Sequence, residues 1–168
     1  MDKYPELPED TWPELRKVKA SNKTGWSYFE HLVKTMHKEL GEEKTAEVLR
    51  VFMRDNAHRF LVPAMKGFGL DGNDAWSIAS YFKLATGDII GYKAELSRPE
   101  PNVVSYKLFP PCIWFPDLDI PASFCRAMGC FEEEAAKIVN PNVEIKTVQL
   151  MTDGDPCCEI LFIDKDKE

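Results

Sequence analysis

The pattern of apolar residues predicts an α+β fold, with N-terminal helices packed on a four-stranded antiparallel sheet and one helix between the two hairpins. Three observations carry this. Apolar residues recur at helical spacing from Trp26 to Leu84, the period drops to two beyond Gly87, and a proline-led helical stretch separates the first alternating runs from two more near the C-terminus. Helices gathered ahead of hairpins favour a helical layer on one face of an antiparallel sheet. At 168 residues and 44% hydrophobic, one domain over residues 1–168 is expected, burying roughly 70% of the surface of the unfolded chain.

From about Thr24 to Leu40, Tyr28, Leu32, Val33, Met36 and Leu40 mark an apolar face while Glu30, Lys34 and Lys38 face outward. Gly41 ends this first helix, and a longer one starts at Glu42, with Val48, Leu49, Phe52, Met53, Phe60 and Leu61 on its buried side. Pro63 is expected to kink or end it, and Gly67-Phe68-Gly69 closes it. Asp71 to Asp74 supply capping side chains for a third helix, with Trp76, Ala79, Tyr81, Phe82 and Leu84 inward. Ile90, Tyr92, Ala94 and Leu96 then alternate as a half-buried strand, and Arg98 to Asn102 turn it into a second, carrying Val104, Tyr106 and Leu108.

Pro110, Pro111 and Pro116 fix φ three times in seven residues and remove backbone donors, so Pro110 to Asp117 must be an ordered loop held by its aromatic side chains. A fourth helix is predicted from about Pro121 to Val139, with Phe124, Met128, Ala135 and Ile138 inward, stopped by Asn140-Pro141. Strands over Val143–Met151 and Cys158–Ile163 follow, joined by an acidic turn at Thr152 to Pro156. The order of strands in the sheet stays open. Only Met1 to about Asp10 and Asp164 to Glu168 are expected to lie outside the packed domain.

A net charge of −7 with no basic stripe argues against nucleic acid and against anionic lipid surfaces as partners. No stretch approaches the roughly 20 apolar residues that span a bilayer, and the N-terminus shows no basic segment before an apolar run, so the cytosol is the expected location. Five cysteines, all at or after Cys112, read as free thiols in a reducing compartment rather than as a disulfide framework. They contain no CxxC spacing, and His31, His37 and His58 lack ligand spacing, so neither a metal nor another cofactor is predicted.

The C-terminal half resembles the L-2-amino-thiazoline-4-carboxylic acid hydrolase family. The residues that carry the likeness are Pro111-Cys112-Ile113 after the first hairpin, Phe124-Cys125 opening a helix, Asn140-Pro141, Thr147 with Leu150, and Gly154-Asp155-Pro156-Cys157-Cys158. It spans roughly Ala85 to Ile163. Where that family often has arginine before and proline after its first cysteine, this chain has Pro111 and Ile113. A more distant resemblance is to 4-vinyl reductase domains, small-molecule-binding modules with a similar glycine-acidic turn. Of the zinc-binding positions in some of those, only Cys158 has a counterpart here, the preceding strand offering Thr147, Gln149, Leu150 and Thr152.

The first resemblance implies a hydrolase that opens a small cyclic amidine or amide, such as an aminothiazoline carboxylate, with Cys112, Cys125, Cys158 and Asp155 as catalytic candidates. Cys125, in the first turn of a helix, is where backbone N–H groups would lower a thiol pKa. The bland alternative is that the cysteines pack as small hydrophobes and that Asp155 only shapes a turn. An anionic substrate needs a cation, for which Arg59, Arg98, Lys107 and Arg126 are available; Trp114, Phe115 and Tyr81 complete the substrate-binding candidates. The second resemblance implies instead a non-catalytic sensor or accessory module, its cavity lined by Trp76, Tyr81, Phe82, Trp114 and Phe115. In either case the partner is a small molecule, and a homo-oligomer is allowed.

Overall fold

A computed structural model describes residues 13–166; the expectations placed on residues 1–10 lie outside these. Two long helices lead, α1 over Glu14–Leu40 and α2 over Glu42–Gly67, followed by α3 over Ala75–Phe82. The hairpin of β1 (Ala94–Glu100) and β2 (Val103–Leu108) precedes α4 (Ala122–Met128) and α5 (Cys130–Val139), and the hairpin of β3 (Val143–Gln149) and β4 (Cys158–Asp164) closes the chain. All strand pairs are antiparallel and the sheet order is β1-β2-β4-β3. The second hairpin therefore docks beside the first through β4 on β2, which answers the question of order. The fold is the α+β arrangement of helices packed on a four-stranded sheet.

Several boundaries differ from the sequence reading. The first helix starts ten residues before Thr24, because Glu14 to Lys23 is a run of good helix formers with no apolar stripe to betray it. Its buried face is also different: Val33 is buried and Trp26, Phe29 and Met36 are half-buried, while Tyr28, Leu32 and Leu40 are exposed. On α2 the stripe Thr45, Ala46, Leu49, Met53, Ala57, Leu61 and Met65 is buried, whereas Val48, Phe52 and Phe60 are largely exposed. Pro63 does not end that helix, which runs on to Gly67.

The α3 helix is capped as expected, the Asp74 carboxylate accepting from Ser77 N at 2.9 Å, and it passes into a π-helical turn over Lys83–Ile89. Ile90 caps that turn and the Tyr92 N–H donates back to Thr86 O at 3.4 Å, so β1 begins only at Ala94. Pro99 is tolerated because β1 is an edge strand and its register shifts between Ser97 and Glu100. The predicted fourth helix is two, broken at Gly129. The strand assigned to Met151 ends at Gln149, and Met151–Asp153 form a 3-10 turn closed by Gly154 at φ +94°. Asp164 belongs to β4 rather than to a tail: its buried carboxylate accepts from Ala75 N at 3.0 Å.

The interior consists of two clusters. One joins the sheet to α3, α5 and the end of α2, with Tyr106, Phe162, Ile78 and Leu61 at its centre. The other joins α1, α2, α4 and the proline-rich loop, with Val33, Leu49, Phe115 and Phe124. Gly129 marks the seam between them.

Candidate functional site

Along that seam runs a cavity of about 340 Å³. This is within the range of about 300–1,000 Å³ usual for small-molecule sites. Tyr81 and Phe82 reach it from α3, Tyr106 and Leu108 from β2, Trp114 from the loop and Phe131 from α5. Four of these rings form a connected group: Tyr81 and Phe131 stack at 6.3 Å, Phe82 meets Phe131 edge-on at 5.7 Å, and Tyr106 lies 6.2 Å from Phe82. Trp114 packs edge-on against Trp26 of α1 at 4.2 Å.

Three of the four catalytic candidates converge here. Cys112 leads the loop into the cavity, Cys125 comes from α4, and Cys158 opens β4, all three lining the same space. Burial pushes every one of these thiols up. Cys125 and Cys158 are each raised to about 11, and Cys112 is raised by burial against the opposing Phe115 and Trp114 N–H groups. Desolvation thus outweighs the short α4 helix, whose N-terminal turn was expected to lower the Cys125 pKa. The Thr152 hydroxyl, which pulls Cys125 back down, is buried with no other hydrogen-bond partner among the described residues.

The fourth candidate does not reach the cavity. The Asp155 carboxylate accepts from Leu150 N at 2.8 Å, and its own N–H donates to Leu150 O at 3.3 Å, closing the turn between β3 and β4. Cys157, beside it, donates to Gln149 Oε1 at 3.2 Å, and Cys130 is buried among the α1–α2–α4 packing. Among the described residues, no three His, Cys, Asp or Glu side chains are disposed to hold a metal ion.

Of the substrate-binding candidates, Tyr81, Trp114 and Arg126 line the cavity. The Arg126 guanidinium is engaged by Asp153 at 2.7 and 3.0 Å, which leaves it partly neutralised. Phe115 is fully buried in the second cluster and does not line the cavity. Lys107 lies outside it, 3.5 Å from Glu159. Trp76 is exposed under the Arg98 guanidinium, 4.5 Å from its ring, so neither residue serves the cavity.

The residue missed in the sequence is Glu132. It lies in the cavity wall, and burial raises its carboxyl to about 7, with the neighbouring Glu133 adding to the rise. Tyr81 and Tyr106 are both raised, first by burial and further by this carboxylate. The run Glu132-Glu133-Glu134 reads as a solvated face, yet Glu132 stands four residues after the inward Met128 and three and four before the buried Ala135 and Ala136. That spacing is the signal that could have found it.

No protein-family model matches the chain, and no curated protein matches it. Among solved structures, a trafficking protein particle complex subunit 3 from Naegleria fowleri, covalently bound to palmitic acid, is similar with a TM-score of 0.64 at 14% identity. The match covers 86% of this chain and 95% of that one. The likeness is one of fold. Among the described residues no helix is long and apolar enough to cross a membrane.

Proposed function

We propose that the chain is a non-catalytic binding module that takes a small, largely apolar molecule into the seam cavity. The observation that carries this is the cavity's wall: mostly aromatic and aliphatic side chains, with three thiols held in their neutral form and the Arg126 guanidinium already engaged by Asp153, so that it presents chiefly apolar surface and weak donors rather than a charged catalytic array. Among the described residues Glu132 is the one acid in that wall, and near neutral pH it is divided between its two forms. The palmitic acid held by the similar trafficking subunit makes long-chain acyl compounds a natural first probe.

A thermal-shift panel of fatty acids, alcohols and aromatic compounds tests the reading. Binding should raise the melting temperature progressively with ligand concentration. Filling the cavity with Leu108→Trp should abolish the shift while leaving the fold intact by circular dichroism. A panel without any stabilising compound, alongside turnover of a small cyclic amidine, would refute it.

A second reading rests on the convergence of Cys112, Cys125 and Cys158 with Glu132 in one cavity. Under the resemblance to the aminothiazoline carboxylate hydrolases, Glu132 would act as the base that activates water against the amidine-like carbon, since a pKa near 7 suits that task. The raised thiols argue against a cysteine nucleophile in the resting state. Hydrolysis of aminothiazoline carboxylate that survives in Cys112→Ala and Cys125→Ala but falls at least about 100-fold in Glu132→Gln is the outcome this reading requires.

A further inference from the structure

The seam cavity has a neighbour. A cleft of about 440 Å³ lies between α1 and the proline-rich loop, and it shares with the cavity the wall made by Trp26, Ile90, Tyr92, Pro111, Ile113 and Trp114. Its outer side is polar. Lys19, Asn22, Lys23 and Glu30 lie on one stripe of α1, at the i, i+3, i+4 and i+11 positions, and all face the cleft. Lys19 is drawn across the opening: a Cβ placed on Gly91 would stand 3.5 Å from its Nζ.

The charges in this cleft do not cancel. Glu30 is committed to Lys34, whose ammonium sits 2.8 Å from it and 2.9 Å from Asp119 outside the cleft. Among the described residues Lys19 and Lys23 make no ion pair. In a chain of net charge −7 this is a local excess of positive charge. A second observation points the same way. Among the described residues Trp26 Nε1, buried in the shared wall, has no acceptor, and a buried N–H without a partner costs on the order of 1–3 kcal/mol. An acceptor brought by a ligand would remove that cost.

We infer that the molecule bound is an amphiphile with one small anionic head, its apolar body in the seam cavity and its head in the cleft, held by Lys19, Lys23 and the Trp26 N–H. This rests on the binding-module reading and adds a polarity to it: the head lies at the α1 end, away from Glu132, which lines the cavity and not the cleft. A carboxylate head in the opposite sense would meet the Glu132 carboxyl and be repelled whenever that group is ionised.

Isothermal titration of the full chain with decanoate, decyl phosphate and decan-1-ol separates the two claims. Both anions should bind more tightly than the alcohol, and the Lys19→Gln/Lys23→Gln double variant should weaken the anions about five- to tenfold while leaving decan-1-ol within about twofold. Trp26→Phe should weaken the anions more than the alcohol, and raised salt should act on the parent as the lysine variant does. Equal affinity of acid and alcohol, unchanged in the double variant, overturns the inference and leaves the binding module standing. If none of the three compounds binds, both fall. Sedimentation with phosphatidylglycerol vesicles that depends on Lys19 and Lys23, without any lysine effect on free decanoate, also overturns it, since the lysines would then serve a lipid surface.

Discussion

Replacing Glu132 by glutamine should make the protein more stable at neutral and alkaline pH. In the folded protein this carboxyl titrates at about 7, against 4.5 as the ordinary value. Its folded pKa is raised, so the folded state holds the proton more tightly, and stability falls as pH rises through the window from about 4.5 to about 7. At about 1.4 kcal/mol per pH unit the shift amounts to about 3 kcal/mol of unfolding free energy lost across that window. Glutamine keeps the shape and has no proton to lose. Urea unfolding of parent and Glu132→Gln at intervals from pH 4.5 to 8.5 should therefore give similar values at the acid end and a gap opening to about 3 kcal/mol by pH 8. In melting temperature that gap is roughly 10 °C for a chain of this size. Two curves running parallel throughout would show that the carboxylate is well solvated or paired, and the account of the cavity as a desolvated space would be wrong.

Other outcomes are as specific. Alkylation by iodoacetamide at pH 7.5 should be slow at Cys125 and Cys158, where a pKa of about 11 leaves about three thiols in ten thousand ionised, and should climb without a plateau up to pH 10, as followed by peptide mass spectrometry. A cavity ligand should slow it further. Asp155→Ala should lower unfolding free energy by about 1.5–3 kcal/mol, measured in urea, by orphaning the Leu150 N–H, with no change in ligand affinity. Phe162→Ala, at the centre of the sheet-side cluster, should cost about 3–5 kcal/mol in the same experiment.

Elements with a strong period were legible. The alternation of Val104 and Tyr106 and the stripe of Leu49, Met53 and Leu61 gave the sheet and the helical layer directly. What periodicity could not give is where a helix continues without an apolar face, as over Glu14 to Lys23, or where one breaks for a glycine, as at Gly129. Exposed apolar residues misled as well, since Leu32 and Phe52 fit a stripe yet remain largely exposed. The site was legible in part: the cysteines of the loop, α4 and β4 do meet, because β2, β4 and the loop come together at one end of the sheet. Lys19, Lys23 and Glu132 stayed hidden because a charged residue on a helix reads as solvated until the tertiary fold shows what it faces.

The break at Gly129 assigns α4 to the loop-side cluster and α5 chiefly to the sheet-side one, and the cavity lies between them. Met53, Cys112, Met128 and Met151 bound it from one cluster, and Tyr81, Phe82, Tyr106 and Ile160 from the other. An occupant of that space acts as a keystone. It gives two half-arches a common centre, so the amides of α1 and those of β4 should exchange with solvent as one cooperative unit when it is in place and as two of unequal protection when it is not.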